Sequence, residues 1–205
     1  MLKPKAHAES LPPFLIMALV LTFISLLLGA RSGAAEDWDI NRLMRSLALN
    51  KISNATFVEK KFLAVLDAPV ESSGELHYRA PDHLEKITLR PKRESLILDR
   101  NVLTVVRGTR THTLPLQNYP EVGALVGSMS GILAGDRALL EQTYRLSMEG
   151  DEAGWILSLV PLERDLVALV QKIRIHGRGA AVNIIEMLQA DGDRSVMSIE
   201  IVKTP

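Results

Sequence analysis

The feature that most constrains the fold is a series of short segments in which apolar residues recur at every second position. Between Thr56 and Val106 these segments are five to seven residues long, and Gly, Pro, Asn and Asp stand between them. A period of two places successive side chains on opposite faces of a β-strand. Short breaks rich in these residues are typical of tight turns. The pattern predicts an antiparallel meander.

Two stretches change to helical periodicity. Asp39 can cap a helix that runs to about Lys51, and the stretch Glu121–Leu146 has a second apolar face, interrupted at Gly135-Asp136. After these the period of two returns in five further segments. They are Tyr144–Met148, Trp155–Val160, Leu169–His176, Val182–Gln189 and Ser195–Val202.

Together these elements predict an α+β fold, in which a highly curved antiparallel sheet of about nine to eleven strands has helices over one face. Only 4% of the residues are aromatic, so few large side chains are available to fill so wide a sheet. A sheet of this width curls, and curling creates a concave apolar interior. Alternation does not distinguish that interior from an ordinary filled core.

The N-terminal region has the features of an export signal. Two lysines precede an apolar run from Phe14 to Leu28, and the small residues Ser32-Gly33-Ala34-Ala35 follow. The run suits the apolar region of a signal peptide and is short for a membrane span. We expect residues 1–35 to be a signal peptide and residues 36–205 to form one periplasmic domain. An uncleaved inner-membrane anchor is the alternative.

Composition excludes several classes of function. The predicted mature domain has 21 basic and 23 acidic residues, a net charge of about −2, which does not favour nucleic acid as a partner. The chain contains no cysteine, so disulfides, thiolate metal sites and thiol nucleophiles are absent. The four histidines of that domain show no metal-ligand spacing. We expect no metal, no cofactor and no catalytic residues, and hence no enzyme.

Glycine recurs every four residues within the second helical stretch, at Gly123, Gly127, Gly131 and Gly135. Each glycine inside a helix costs up to about 1 kcal/mol relative to alanine. A helix weakened in this way suits a cover that lifts off a cavity. The alternative is that the glycines allow close packing against the sheet.

Basic residues cluster in the first half of the predicted sheet. On strands these side chains are expected to face outward into solvent, and a rim that binds phosphate headgroups or an acidic partner is a second possibility. The cluster comprises Lys60, Lys61, Arg79, Lys86, Arg90, Lys92 and Arg93.

Three segments carry a resemblance to a known family. Thr56–Lys60 (TFVEK), Ser73–Leu84 (SGELHYRAPDHL) and Leu96–Asp99 (LILD) resemble the LolA-type outer-membrane lipoprotein carriers. The later order of covering helices, strands and an Asp-Gly turn is also similar. The resemblance implies an open half-barrel of antiparallel strands with a helical lid over a hydrophobic cavity.

What the resemblance implies about function is a periplasmic carrier that moves lipoproteins, or another acylated or lipid-like cargo, between the inner and outer membranes. The alternative is a periplasmic module on the same fold that senses lipids or lipoproteins. Partners would be the cargo acyl chains and the transport proteins of both membranes, with the carrier itself a monomer. Phe57 and Leu84 match apolar positions of the family pattern. The full set of candidate residues for the cavity or lid is Phe57, Leu76, Tyr78, Leu84, Leu96, Leu98, Leu125, Met129 and Ile132.

The sequence departs from the family pattern in two places. An arginine that often precedes the proline of that pattern, and is proposed to latch the lid, is replaced here by Ala80. Arg79 is one residue early, and a shift of one residue turns a side chain to the opposite face of a strand. The family glutamine of the first strand is replaced by Glu59. These changes argue against the standard lid latch and the standard lipoprotein cargo, and favour a related subfamily that carries another lipid-like product.

Overall fold

The period-two segments form one antiparallel sheet of eleven strands in a computed structural model that describes residues 38–202. The expected signal peptide and its cleavage site lie outside these described residues. The strands are β1 Ile52–Phe62, β2 Val70–Arg79, β3 His83–Arg90, β4 Glu94–Asp99, β5 Val102–Arg107, β6 Arg110–Pro115, β7 Tyr144–Asp151, β8 Gly154–Pro161, β9 Val170–Arg178, β10 Ala181–Gln189 and β11 Arg194–Ile201. The helices are α1 Ile40–Leu47, α2 Pro120–Ala134, α3 Arg137–Thr143 and α4 Arg164–Val167, with a 3-10 turn at Leu116–Asn118.

The strand order is β6-β5-β4-β3-β2-β1-β11-β10-β9-β8-β7, so nearly every strand pairs with its neighbour in sequence. The exception is the central pair, where Ala55 of β1 lies opposite Ile201 of β11. The sheet does not close, and β6 and β7 form its two edges. The predicted α+β class and the predicted number of strands are confirmed.

One strand and one α-helix were not expected from the sequence. Strand β6 is an edge strand whose residues up to Thr113 are exposed, so it lacks the apolar alternation of a half-buried strand. Helix α4 has four residues, too few to show a helical period.

Helix α1 shows why the helices form where they do. The Asp39 carboxylate accepts a hydrogen bond from the backbone N–H of Arg42 at 2.8 Å, which satisfies a free donor of the first turn. Leu43, Met44 and Leu47 lie on one face and are buried. A helix of only eight residues is marginal in isolation, so this buried face stabilises it.

The described hydrophobic core lies over one half of the sheet. Strands β7–β10 and all four helices contribute its buried side chains, and the partly buried Ile199 of β11 packs against them. This core comprises Leu43, Met44, Leu47, Ile132, Leu140, Tyr144, Trp155, Leu157, Leu159, Leu166, Val170, Ile173, Ile175 and Val182. The half formed by β2–β6 contributes no residue to it. A filled core and a separate half-covered surface therefore occur side by side.

Candidate functional site

The strand register defines one continuous face of the sheet, which we call the inner face. Phe57 of β1 lies opposite Ile199 of β11, and Ile199 packs against the core. Directly opposite residues of an antiparallel pair share a face. The face that carries the core on β7–β11 therefore continues across β1–β6, where side chains form three rows.

The first row, called the apolar row, crosses β2 to β6 without a charged residue. Each member lies directly opposite the next in the strand register. The row consists of Tyr78, Leu84, Leu98, Leu103 and Leu114. Five neighbouring strands thus present a strip of aliphatic and aromatic carbon.

The second row lies two residues further along each strand and mixes apolar and basic side chains. It consists of Leu76, Lys86, Leu96, Val105 and His112. The third row, called the polar row, lies two residues further again. From β1 to β6 it consists of Phe57, Gly74, Thr88, Glu94, Arg107 and Arg110. The inner face therefore changes from apolar to charged along the strands.

The register brings together all six strand residues that the sequence suggested for the cavity. Tyr78, Leu84 and Leu98 are consecutive members of the apolar row, and Leu76 and Leu96 flank Lys86 in the second row. Phe57 begins the polar row and is buried beside the central seam. Their role in binding a cargo remains a prediction.

Much of this surface is only partly covered. Among the hydrophobic side chains described in β2–β6, Tyr78 and Leu98 are buried, whereas Leu76, Leu84 and Leu96 keep part of their surface exposed to solvent. Apolar area left in water costs about 25 cal/mol per Å². This half of the inner face therefore keeps apolar area in contact with solvent.

A cavity of about 480 Å³ lies between α2 and the turns at the apolar end of the sheet. The buried side chains of Leu98 and Leu116 line it, so the apolar row and the cavity share a residue. Exposed residues of the turns after β2 and β4, including Arg100 and Asn101, also line it. The volume is in the range of small-molecule sites, about 300–1,000 Å³.

The side of α2 that lines the cavity is its glycine side. Gly123, Gly127, Ser130, Gly131 and Ala134 all line it. A Cβ atom placed on Gly127 would meet nothing within 4 Å, whereas one on Gly131 would lie 3.2 Å from Leu140 Cδ2. Gly131 thus permits close packing against α3, rather than against the sheet, and Gly127 leaves room for the cavity. A role of the glycines in a cover that lifts off the cavity stays a prediction.

The three predicted lid residues of α2 lie elsewhere. Ile132 is part of the core, and Leu125 and Met129 are partly buried against it. None of the three lines the cavity. The apolar side of α2 anchors the helix, while its small residues leave room for the cavity.

An ion pair between a half-buried lysine and a buried glutamate lies towards the charged end of the inner face. Lys86 Nζ donates to Glu59 Oε2 at 2.6 Å, and the two side chains are 21% and 7% exposed. The ammonium also lies 4.8 Å from the centre of the Phe57 ring, a cation–π contact. Ser72 Oγ donates to the same carboxylate oxygen at 3.4 Å. Lys61 Nζ lies 3.9 Å from the other oxygen of the carboxylate, so Glu59 has two basic partners.

Lys86 was expected to face solvent with the other basic residues, and the register shows that it does not. Its position in β3, opposite Leu76 and Leu96, places it on the inner face. Lys60, by contrast, lies on the opposite face of β1 and pairs with Glu71 at 3.1 Å. Alternation is the sequence signal that could have separated the two lysines. Lys86 lies two residues after Leu84 in β3, so these two side chains share a face.

Tyr78 carries a polar group into the apolar row. Its hydroxyl is buried and has no hydrogen-bond partner among the described residues. Burial, with a smaller contribution from the charge of Asp82, raises the pKa of Tyr78 above its ordinary value of 10.0. The phenol is therefore neutral at physiological pH.

Among residues 38–202 no cluster of side chains has the composition of a metal site.

A protein-family profile agrees with this architecture. The profile of the family described as "Outer membrane lipoprotein carrier protein LolA-like" matches residues 32–199. The chain belongs to this family, whose fold is that of a carrier or binding protein. No curated protein matches the chain. Within the described part of the chain, no helix has the length and apolar character needed to cross a membrane.

Solved structures with a similar chain path share little sequence. A LolA superfamily protein from Nitrosomonas europaea is 12% identical, with a TM-score of 0.45 over 81% of this chain and 93% of that one. A putative outer membrane lipoprotein-sorting protein domain from Vibrio parahaemolyticus is 10% identical, with a TM-score of 0.44 over 82% and 92%. A chain of the MucA/MucB complex of Pseudomonas aeruginosa is 15% identical, with a TM-score of 0.45 over 81% of this chain and 56% of that one.

Proposed function

We propose that this protein is a periplasmic carrier that binds acylated or otherwise lipid-like molecules, lipoproteins among them, and moves them between the inner and outer membranes. The observation that supports this proposal is the half-covered inner face of β2–β6, which leads into the cavity beneath α2. Membership of the LolA-like family supports it independently.

The physical reason is the cost of exposing hydrocarbon to water. Each exposed CH₂ group costs about 0.8 kcal/mol, so an acyl chain does not cross an aqueous compartment unaided. The partly exposed Leu84 and Leu103, on either side of the buried Leu98, offer matching apolar surface. Binding there would remove the acyl chain and the apolar surface of the inner face from water together. Transfer would then follow from the different affinities of the loading and receiving partners, and the carrier would act as a monomer.

The proposal is tested first by extracting the natively purified protein with organic solvent and identifying the extract by mass spectrometry. We expect an acylated or lipid-like species in stoichiometric amount. A clean extract from folded protein, together with no binding of fluorescent fatty acids, would contradict the carrier function. A stable complex with a membrane protein under those conditions would favour the sensing module instead.

Filling the cavity gives a sharper test. Gly127→Leu places a side chain where the structure has open space, so we expect it to weaken binding of a fluorescent fatty acid at least tenfold. Ala138→Leu is the matched control, because Ala138 is exposed on α3 and does not line the cavity. Equal binding by the two variants would show that the cavity does not hold the acyl chain.

A further inference from the structure

The change in polarity along the inner face indicates how a cargo would be oriented and which chemistry its polar end would have. The apolar row leads into the cavity through Leu98, whereas the polar row lies two rows away, towards the turn between β3 and β4. A molecule that is apolar at one end and polar at the other matches this gradient in one direction only.

The polar end of the inner face carries more positive than negative charge. Among its described side chains, Lys61, Lys86, Arg107 and Arg110 are basic, whereas Glu59 and Glu94 are acidic. The turn between β3 and β4 adds two exposed basic residues, Lys92 and Arg93. An anion meets a net attraction here. The half-buried Lys86 pairs with Glu59 and the exposed Arg107 pairs with Glu94, and each cation has further N–H donors for a ligand.

Lys86 is the residue that joins the two regions. Its neighbours across the strands are Leu76 and Leu96, which are apolar, while its ammonium reaches Glu59 towards the polar end. An ammonium has three N–H donors, and the contact with Glu59 uses one of them. The others are available to a ligand at the point where the hydrocarbon surface ends.

We propose that the inner face selects amphiphiles with an anionic headgroup, a carboxylate or phosphate bound at Lys86, whose hydrocarbon chain follows the apolar row into the cavity. This inference rests on the proposed carrier function and refines it. A free acyl acid or an anionic lipid fits this arrangement better than a neutral acyl ester does. Glu59 competes with the headgroup for Lys86 and so favours release.

The experiment compares palmitate, hexadecanol and hexadecylamine, which share one chain length and differ in the charge of the headgroup. Each would displace the neutral probe N-phenyl-naphthylamine from the purified protein, below the concentration at which it self-associates. We expect palmitate to bind about tenfold more tightly than hexadecanol, and hexadecylamine more weakly than either, because a hydrogen bond to a charged group contributes more than a neutral one.

Three variants assign the preference to the ion pair. Glu59→Gln should strengthen palmitate binding further, since it removes the competing carboxylate. The double variant with Glu59→Gln and Lys86→Met should bind palmitate and hexadecanol equally, without leaving an unpaired buried charge. Lys60→Met removes a lysine from the opposite face of the same sheet and should keep the wild-type preference.

The outcomes separate the two proposals. Equal displacement by palmitate and hexadecanol in the wild-type protein would overturn the headgroup assignment and leave the carrier function intact. A preference for palmitate that persists in the double variant would also overturn the role of Lys86. Failure of all three amphiphiles to displace the probe, or to bind at all, would overturn the carrier function as well.

Discussion

Gly135 is a residue whose backbone conformation determines how two helices meet. It ends α2 with a φ of 67°, in the left-handed region, and its N–H reaches the carbonyl oxygen of Ile132. A Cβ atom there would lie 2.1 Å from the carbonyl oxygen of Met44 in α1. Only glycine satisfies both requirements, so the helix end and the contact with α1 depend on one residue.

We expect Gly135→Ala to lower the free energy of unfolding by at least about 2 kcal/mol, because it combines an unfavourable φ with a backbone clash. Gly127→Ala is the matched control in the same helix. It meets nothing within 4 Å and should raise stability by about 0.5–1 kcal/mol. Chemical denaturation of both variants measures the difference. Equal stabilities would show that the contact with α1 is not constrained as described.

At the same scale, the strand residues of the candidate site could be found from sequence, because the alternation of apolar and polar residues shows which side chains of a strand share a face. Phe57, Tyr78 and Leu84 fall on one face once the register is known. Alternation also places Lys86 on the face of Leu84, but a lone basic residue on a strand is more often in solvent, so the sequence alone does not predict its burial. Its burial depends on the contact with Glu59, which lies 27 positions away in sequence.

The elements show a similar division between local and tertiary causes. Local signals place the start of α1 at Asp39 and the break between α2 and α3 at Gly135-Asp136, and both are observed. The extent of β1 is not local, because it begins at Ile52 rather than Thr56 and is fixed by its pairing with β2. Nor does periodicity show which side of α2 lines a cavity, since both sides consist of small or apolar residues.

Helix α1 offers a test at the scale of one element. Leu47 is 1% exposed and belongs to the core, whereas Leu49, two residues later, is 78% exposed. We expect Leu47→Ala to cost about 2–5 kcal/mol through lost burial and a residual cavity, and Leu49→Ala to cost under about 0.5 kcal/mol. Thermal and chemical unfolding of the two variants measures this. Similar costs would mean that α1 does not help to close the core.

For the molecule as a whole, the two halves of the sheet differ in burial, since β7–β11 carry the packed core and β2–β6 are only half-covered. This difference predicts unequal local stability. Local opening costs least where few apolar side chains are buried. We expect backbone amides of β9, with Val170, Ile173 and Ile175 in the core, to exchange with solvent much more slowly than those of β4 and β5. Hydrogen exchange followed by mass spectrometry measures this directly.

Binding of a fatty acid should slow exchange in β3–β5 and in α2 and leave β9 unchanged, since the proposed site involves only the first group. Uniform exchange across both halves without ligand would show that the sheet opens as one unit. Protection confined to β7–β11 after ligand addition would place the binding surface on the wrong half.

The central pairing of β1 with β11 also determines when the molecule can be assembled. Every other strand pair joins sequence neighbours. Ala55 of β1, however, pairs with Ile201 of β11, and closing the long chain segment between them is slow. In a chain made from its N-terminus, one edge of β1 therefore stays unpaired until β11 has emerged. During that interval Phe57, buried in the finished protein, lacks its neighbour Ile199. A nascent chain of this topology needs protection from aggregation at its middle strand rather than at its final edges.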